Sequence, residues 1–388
     1  MRRLVLSFIV VAFMFQAGFT AGAQTPPQTQ SAAGGRTLGV MKLPVPAGFA
    51  IDQRQGYKVV TVKSPWPGAA RGFTYVLYPR GNGKPAGVAA DKFIQTPVRS
   101  VVSFSTTYIP ALDAIGELGS LKGVDSADYV YNPAVRQAFA AGKIVQTTKN
   151  WAPDIERLIA LAPDVIFAFG MGNEWDSHPK MDEAGLPVVI LGDWNEEEPL
   201  ARAEWSIFLA AFFDKEELAL KRFAETSARY ASLKARAAKP AAKPSVLVSG
   251  PYNGTWSVSA GSSYMARLLA DAGASYLWAS STGTGSLVLS IEAVFERALG
   301  ATVWLNPSLG AAKLADVKAM DPRFSSLPVL SGGNVWNNNA RMSPGGGNDY
   351  YESAAIQPDV VLADLIAIFH PDLLPGHVFT YYRKLGDK

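Results

Sequence analysis

The chain has 388 residues, 48% of them hydrophobic and 18% charged, with a formal net charge of +3. This composition supports roughly two globular domains with a real core, and so small a net charge argues against the clustered basic face that nucleic-acid binding requires. With no cysteine in the sequence, disulfides, thiolate metal sites and a cysteine nucleophile are excluded.

The first segment reads as an export signal. Arg2 and Arg3 precede an apolar run from Leu4 to Phe19, and Ala21-Gly22-Ala23 has the small residues of a cleavage site. The run contains Gln16 and Gly18 and is shorter than the ~20 apolar residues of a membrane span. Residues 1–23 are therefore expected to be a signal peptide. Residues 24–56 are expected to be a partly disordered leader, its start rich in Gln, Pro, Ala and Gly. An exported chain with no cysteine to carry a lipid is expected to reside free in a Gram-negative periplasm.

Residues 57–63 and 73–78 alternate like strands around the turn Pro65-Trp66-Pro67-Gly68 and are expected to extend the sheet of a first lobe, residues 57–198. Within that lobe, strands at 101–104, 165–169 and 188–191 alternate with helical segments, the pattern of a mostly parallel sheet. Residues 199–239 read as a helical connection. In it Asp214 and Glu217 suggest a capping box that opens a helix reaching to about Ala238, before Pro240. Leu220, Phe223, Tyr230 and Leu233 recur at helical spacing, so one stripe of that helix packs on protein. The second lobe is residues 240–388.

The two lobes repeat each other. Asp154-Ile155-Glu156 opens a helix that is followed by a buried strand from Pro163, and Ser290-Ile291-Glu292 opens another, followed by a strand from Ala301. Upstream of each lies a strand, a polar loop and a helix: from Val101 to Ala111 in the first lobe, and from Ser245 to Tyr264 in the second. The predicted fold class is α/β. Two Rossmann-like lobes with mostly parallel sheets are joined by one long helix, and a ligand cleft lies between them.

Enzyme signatures are missing. There is no Gly-x-Ser-x-Gly elbow and no phosphate loop of the Walker type, and Gly345-Gly346-Gly347 sits in a loop rather than between a strand and a helix. The three histidines, His178, His370 and His377, are not clustered for a bare metal ion, so no metal site and no cofactor are expected. Tryptophan is more informative. Of nine, Trp151, Trp175, Trp194, Trp256 and Trp336 fall where loops follow strands or precede helices, the edge at which open α/β sheets bind ligands. With Tyr108, Tyr252 and Met171 they predict an aromatic-lined cleft suited to a large, partly flat ligand. Ser105, Thr106, Thr107, Lys149, Asn253, Ser257, Asn337, Asn339 and Arg341 are the polar groups near the same positions. Arg341 could clamp an anionic oxygen by charge-assisted bonds or simply be a solvated loop residue. Glu156 and Glu292 each lie in a first helical turn, where the macrodipole favours an acid. Their matched placement in both repeats also suits docking to a two-fold partner that carries arginines.

Taken together, these stretches resemble the helical-backbone class of periplasmic substrate-binding proteins of ABC importers, the group that binds iron–siderophores, haem and cobalamin. The resemblance is carried by residues 101–116, 154–166 and 181–191, the helix at Asp214, residues 289–294 and residues 358–365, in the family's order. It implies that Glu156 and Glu292 meet arginines of a dimeric permease, although Asp154 stands where the family often has Asn. It also implies a monomeric receptor that captures a metal-chelate, an iron–siderophore first and a corrinoid or haem next, without bond chemistry. An enzyme using the same cleft is the rival reading, and a sensor reporting to a membrane partner is a third.

Overall fold

Strands β1 (Thr37–Val40), β2 (Phe49–Arg54), β3 (Tyr57–Val62), β4 (Phe73–Pro79) and β5 (Lys92–Thr96) open the described chain. The computed structural model describes residues 37–387, so the expected signal segment and the start of the leader lie outside the described residues. The strands form a sheet of their own in the order β1-β2-β3-β4-β5, antiparallel except for the β4–β5 pair. This corrects two expectations. Residues 57–63 and 73–78 do not extend the sheet of the first lobe, and much of residues 37–56 is strand rather than leader. The cause is the covered face of the sheet. Phe49, Ile51, Val60, Val62 and Leu77 are fully buried and need a partner surface.

The first lobe follows in chain order as β6 (Val101–Ser103), α1 (Ile109–Ala114), β7 (Leu121–Val124), α2 (Pro133–Ala140) and β8 (Val145–Gln146). A hairpin of β9 (Thr148–Lys149) and β10 (Ala152–Pro153) leads to α3 (Ile155–Leu161), β11 (Val165–Phe169), α4 (His178–Glu183) and β12 (Val188–Leu191). The sheet order is β12-β11-β6-β7-β8, and every pair is parallel. β11 and β12 are almost continuously apolar and buried, as expected for strands covered on both faces.

Helix α5 (Pro199–Ala211) is buried nearly all round and supplies the surface that the first sheet needs. The Phe49 ring lies 5.0 Å from Trp205 and 5.6 Å from Phe208. Helix α6 (Glu216–Ala237) has 22 residues, about 33 Å at 1.5 Å per residue. Ala219 and Phe223 near its start belong to the core of the first lobe, whereas Tyr230 and Ala237 near its end belong to that of the second. One helix is therefore packed into both lobes. The expected capping box is absent. Asp214 has a positive φ of 57° and its carboxylate pairs with Lys58, 2.7 Å away, while Lys215 is the N-cap and its side chain makes no capping bond.

The second lobe contains β13 (Ser245–Val248), β14 (Pro251–Tyr252), β15 (Thr255–Ser259), α7 (Tyr264–Asp271), β16 (Ser275–Tyr276), β17 (Ser286–Ser290) and α8 (Ile291–Ala298). Then come β18 (Val303–Leu305), α9 (Leu314–Lys318), α10 (Pro328–Ser331), β19 (Val335–Asn337), α11 (Pro358–Phe369) and β20 (Arg383–Lys384). The main sheet runs β16-β13-β18-β19-β20, parallel but for β20. The topology shows the duplication. In each lobe the chain leaves the first strand of the main sheet (β6 or β13) to one side, then returns to its other flank through β11 and β12, or β18 and β19. The helix entering each returning strand is the one that carries Glu156 or Glu292.

Candidate functional site

In the first lobe the strand order reverses between β6 and β11, and in the second between β13 and β18. Loops diverge at such switch points, outside the carboxyl ends of the strands, and leave a crevice there. Ser105 caps the short turn after β6, its hydroxyl 2.8 Å from that of Thr107, with Thr106 half-buried between them. Gly170 to Asp176 follow β11. The Asp176 carboxylate accepts the amides of Met171 (2.7 Å) and Gly172 (2.8 Å), and the Trp194 indole donates to the Gly170 carbonyl (3.2 Å). This tied loop presents Trp175, which is 78% exposed.

Trp151 is 79% exposed. It lies with Asn150 in the two-residue turn of the β9–β10 hairpin, both at positive φ (65° and 52°). Asn adopts this geometry readily, whereas for Trp it is strained, and such strain concentrates at functional positions. β8, which feeds the hairpin, and β11 are separated by β7 and β6, so the loops that carry Trp151 and Trp175 leave different strands of one sheet. In the second lobe Tyr252 is 53% exposed beside the Asn253-Gly254 turn of the β14–β15 hairpin. Asn253 (φ 48°) is there as a turn former, and the Asn-Gly pair between two strands is the sequence signal for it. Lys149 is exposed in β9.

Several expected contacts are structural. Trp256 is fully buried in the core of the second lobe, against Trp304 (5.6 Å) and Phe324 (5.5 Å), with its indole N–H on the Ser249 hydroxyl. Its position in β15 turns the ring inward. Tyr108 is 2% exposed and donates to the Ala168 carbonyl. Trp336 packs on Phe379 and bonds Asn334, which precedes its strand, so its indole points away from the carboxyl edge. Asn337 and Asn339 are buried, donating to the carbonyls of residues 308–311. Ser257 is half-buried in β15, its Oγ buried without a partner among the described residues. The histidines also serve separately. His377 bonds Asp364, His370 meets the Gly273 carbonyl, and His178 is buried beside Trp66.

Arg341 does not stand free. It lies over the Tyr131 ring, donates to the Tyr131 hydroxyl (3.2 Å) and has Nε 3.1 Å from Asp349. These contacts belong to a strap that joins the lobes. Both carboxylate oxygens of buried Glu352 accept first-lobe amides, from Tyr131 (2.8 Å) and Asn132 (2.9 Å). Arg136 reaches Ser343 across the same seam. Gly347 lies so close that a Cβ there would sit 2.6 Å from the carbonyls of Tyr129 and Val130. The glycine triplet therefore serves the close approach of two backbones.

Sequence reasoning missed Asp125. It follows β7 at the same edge, and its Oδ1 is buried without a hydrogen-bond partner among the described residues. Burial pushes its carboxyl up to about 6. Its place one residue after a predicted strand was the available signal. Two cavities, of about 220 and 450 Å³, lie elsewhere, one between β4 and β12 and one where α1, α5, α6 and α11 meet.

Burial also raises the carboxyls of Glu204 and Glu352, each to about 7. Such acids hold a proton more tightly folded than unfolded, so stability falls as pH rises from about 4.5 to above 7. Buried His178, with its pKa lowered, opposes this below about 6.5. Among the described residues, Glu204 accepts only the Val45 amide and its Oε2 has no partner. Glu204→Gln is expected to raise stability at pH 8 by roughly 1–3 kcal/mol and to flatten the decline between pH 5.5 and 8 in thermal melts. An unchanged pH profile would show that its carboxyl titrates normally.

A family model for periplasmic binding proteins matches residues 101–340, more than half of the chain. The chain belongs to the periplasmic binding protein family. An uncharacterized lipoprotein of Methanocaldococcus jannaschii is 28% identical over 303 residues, spanning 76% of this chain and 70% of the relative. A periplasmic haem-binding protein of Pseudomonas aeruginosa has a TM-score of 0.53 at 20% identity, over 71% of this chain and 93% of that one. Helicobacter pylori CeuE in a nickel–histidine complex has a TM-score of 0.57 at 15% identity, over 82% and 90%. These likenesses show a shared two-lobed fold. The sheet β1–β5 precedes the matched segment.

Glu156 and Glu292 occupy equivalent places in this family fold. Each follows an N-cap, Asp154 or Ser290, whose side chain accepts the amide three residues on (3.1 and 3.2 Å). Both glutamates are exposed. Glu292 is engaged by Arg323 at 2.8 Å, which lowers its carboxyl pKa.

Proposed function

We propose that this periplasmic binding protein captures a metal-chelate at the carboxyl edges of its two sheets and delivers it to an ABC permease through Glu156 and Glu292. The observation that carries the reading is the pair of exposed indoles, Trp151 and Trp175, on one sheet edge. Exposed rings held on tied backbone gain contact area on a flat guest at little entropic cost. Exposed indoles suit the flat face of a haem or corrinoid, with a ferric siderophore as the third candidate. Export by removal of residues 1–23, action as a monomer and the absence of a resident cofactor complete the proposal.

Haemin, cobalamin and a ferric siderophore, each titrated against intrinsic fluorescence, should yield at least one that quenches saturably and is recovered unchanged. Trp151→Ala and Trp175→Ala should each weaken that binding at least about tenfold. Chemical conversion of the bound compound would favour an enzyme instead, and equal affinity in both variants would remove the indoles from the site.

A further inference from the structure

The sheet β1–β5 has no place in the family segment, yet its β3–β4 turn touches the rim of the site. We propose that this sheet is a working part of the ligand site, with Trp66 as the positioning residue for the loop that presents Met171 and Trp175. The inference rests on the reading of Trp175 as a ligand contact.

The Trp66 indole lies over the start of the loop after β11. A Cβ at Gly170 would sit 2.6 Å from Trp66 Cζ3, and one at Gly172 2.6 Å from Trp66 Cδ1. Gly192, the first residue after β12, is approached in the same way by Ser64 and Pro65, whose carbonyl oxygen and Cα would lie 2.9 and 3.2 Å from a Cβ. One turn thus bears on both rim loops. Behind the indole, the His178 and Phe73 rings lie 5.7 and 6.0 Å away, so it is wedged between the extra sheet and the start of α4.

Trp175 is too exposed to be held by its own packing, so the loop backbone sets its position. That backbone contains Gly170 and Gly172, the second at φ 73°, residues with the widest conformational freedom. The wedge requires glycine at the contact points, and glycine makes the loop dependent on the wedge. Removing the indole leaves space beneath the loop. The loop then samples more conformations in the free protein, and ordering it on binding weakens affinity.

The test uses the whole mature chain with haemin as probe. Trp66→Ala should weaken haemin binding about tenfold, and Trp66→Phe should restore most of it. Combined with Trp175→Ala, Trp66→Ala should add almost nothing, because both act through one ring. Independently of any ligand, amides 170–176 of Trp66→Ala should exchange with solvent at least about tenfold faster, while those of β13 and β18 are unchanged. Additive losses, or unchanged exchange in 170–176, would overturn the proposal. If the wild type does not bind haemin, that ligand assignment fails and the exchange arm alone decides the wedge. Should Trp66→Ala not fold, Trp66→Leu carries the same measurements.

Discussion

Trp256→Ala should destabilise the protein by about 3–5 kcal/mol, the range for removing a large aromatic from a packed core. The ring is fully buried, nearly stacked on Trp304, and closed on a further side by Phe324. Two of the rings stand on strands, Trp256 on β15 and Trp304 on β18. The Trp304 indole donates to the Ser249 carbonyl at 2.7 Å, and the Trp256 indole donates to the hydroxyl of the same serine. A cavity there cannot collapse without moving β13 and β18. Chemical denaturation at constant m-value reads the effect. The same variant should leave the rim indoles in place, so ligand affinity at a temperature where it is folded should change less than about twofold. A small stability loss with a large affinity loss would return Trp256 to the ligand site.

Reversing both acids, Glu156→Lys with Glu292→Lys, should reduce permease-dependent uptake by more than about thirtyfold, since opposing a charge pair at an interface costs several kcal/mol. Ligand affinity in solution should be unchanged, because both residues lie before the strands that build the site, not after them. The two acids are not equal. Glu156 has no ion pair among the described residues, whereas Glu292 is already held by Arg323, itself bonded to Asp321 at 2.6 Å. An arginine from the proposed permease would therefore meet a free carboxylate on one lobe and a shared one on the other. Glu156→Ala should accordingly impair uptake more than Glu292→Ala. Wild-type uptake by the double reversal would reduce both acids to helix-start residues.

Most of the lobe architecture was legible in the sequence. The strands at 165–169 and 188–191 and the helix at 358–369 fall where apolar runs and proline placed them, and the repeat from Asp154 and Ser290 proved to be a repeat of topology. These features are local: a cap, a period and a run length. The site was less legible. Loop position predicted ligand contact for five tryptophans, yet Trp256 is core, Trp336 packs on Phe379, and Trp194 is spent on the Gly170 carbonyl. A short strand and a loop look alike in sequence. Only the direction of one Cβ, set by register within β15, separates an inward ring from an outward one. Arg341 was a plausible anion clamp until its partners across the lobe seam, Tyr131 and Glu352's neighbours, were in view.

By itself the sequence determined two α/β lobes, a long helix between them, and matched acids at equivalent helix starts, because each follows from apolar periodicity and local start signals within a dozen residues. The tertiary structure decided that residues 37–96 form a separate sheet, that Trp66 presses on Gly170 and Gly172, and that Glu352 clasps the first lobe. The Trp66 and Glu352 contacts join segments about a hundred or more residues apart. They arise from the need to cover a buried face, fill a space or satisfy an amide, and such needs exist only once the lobes are assembled.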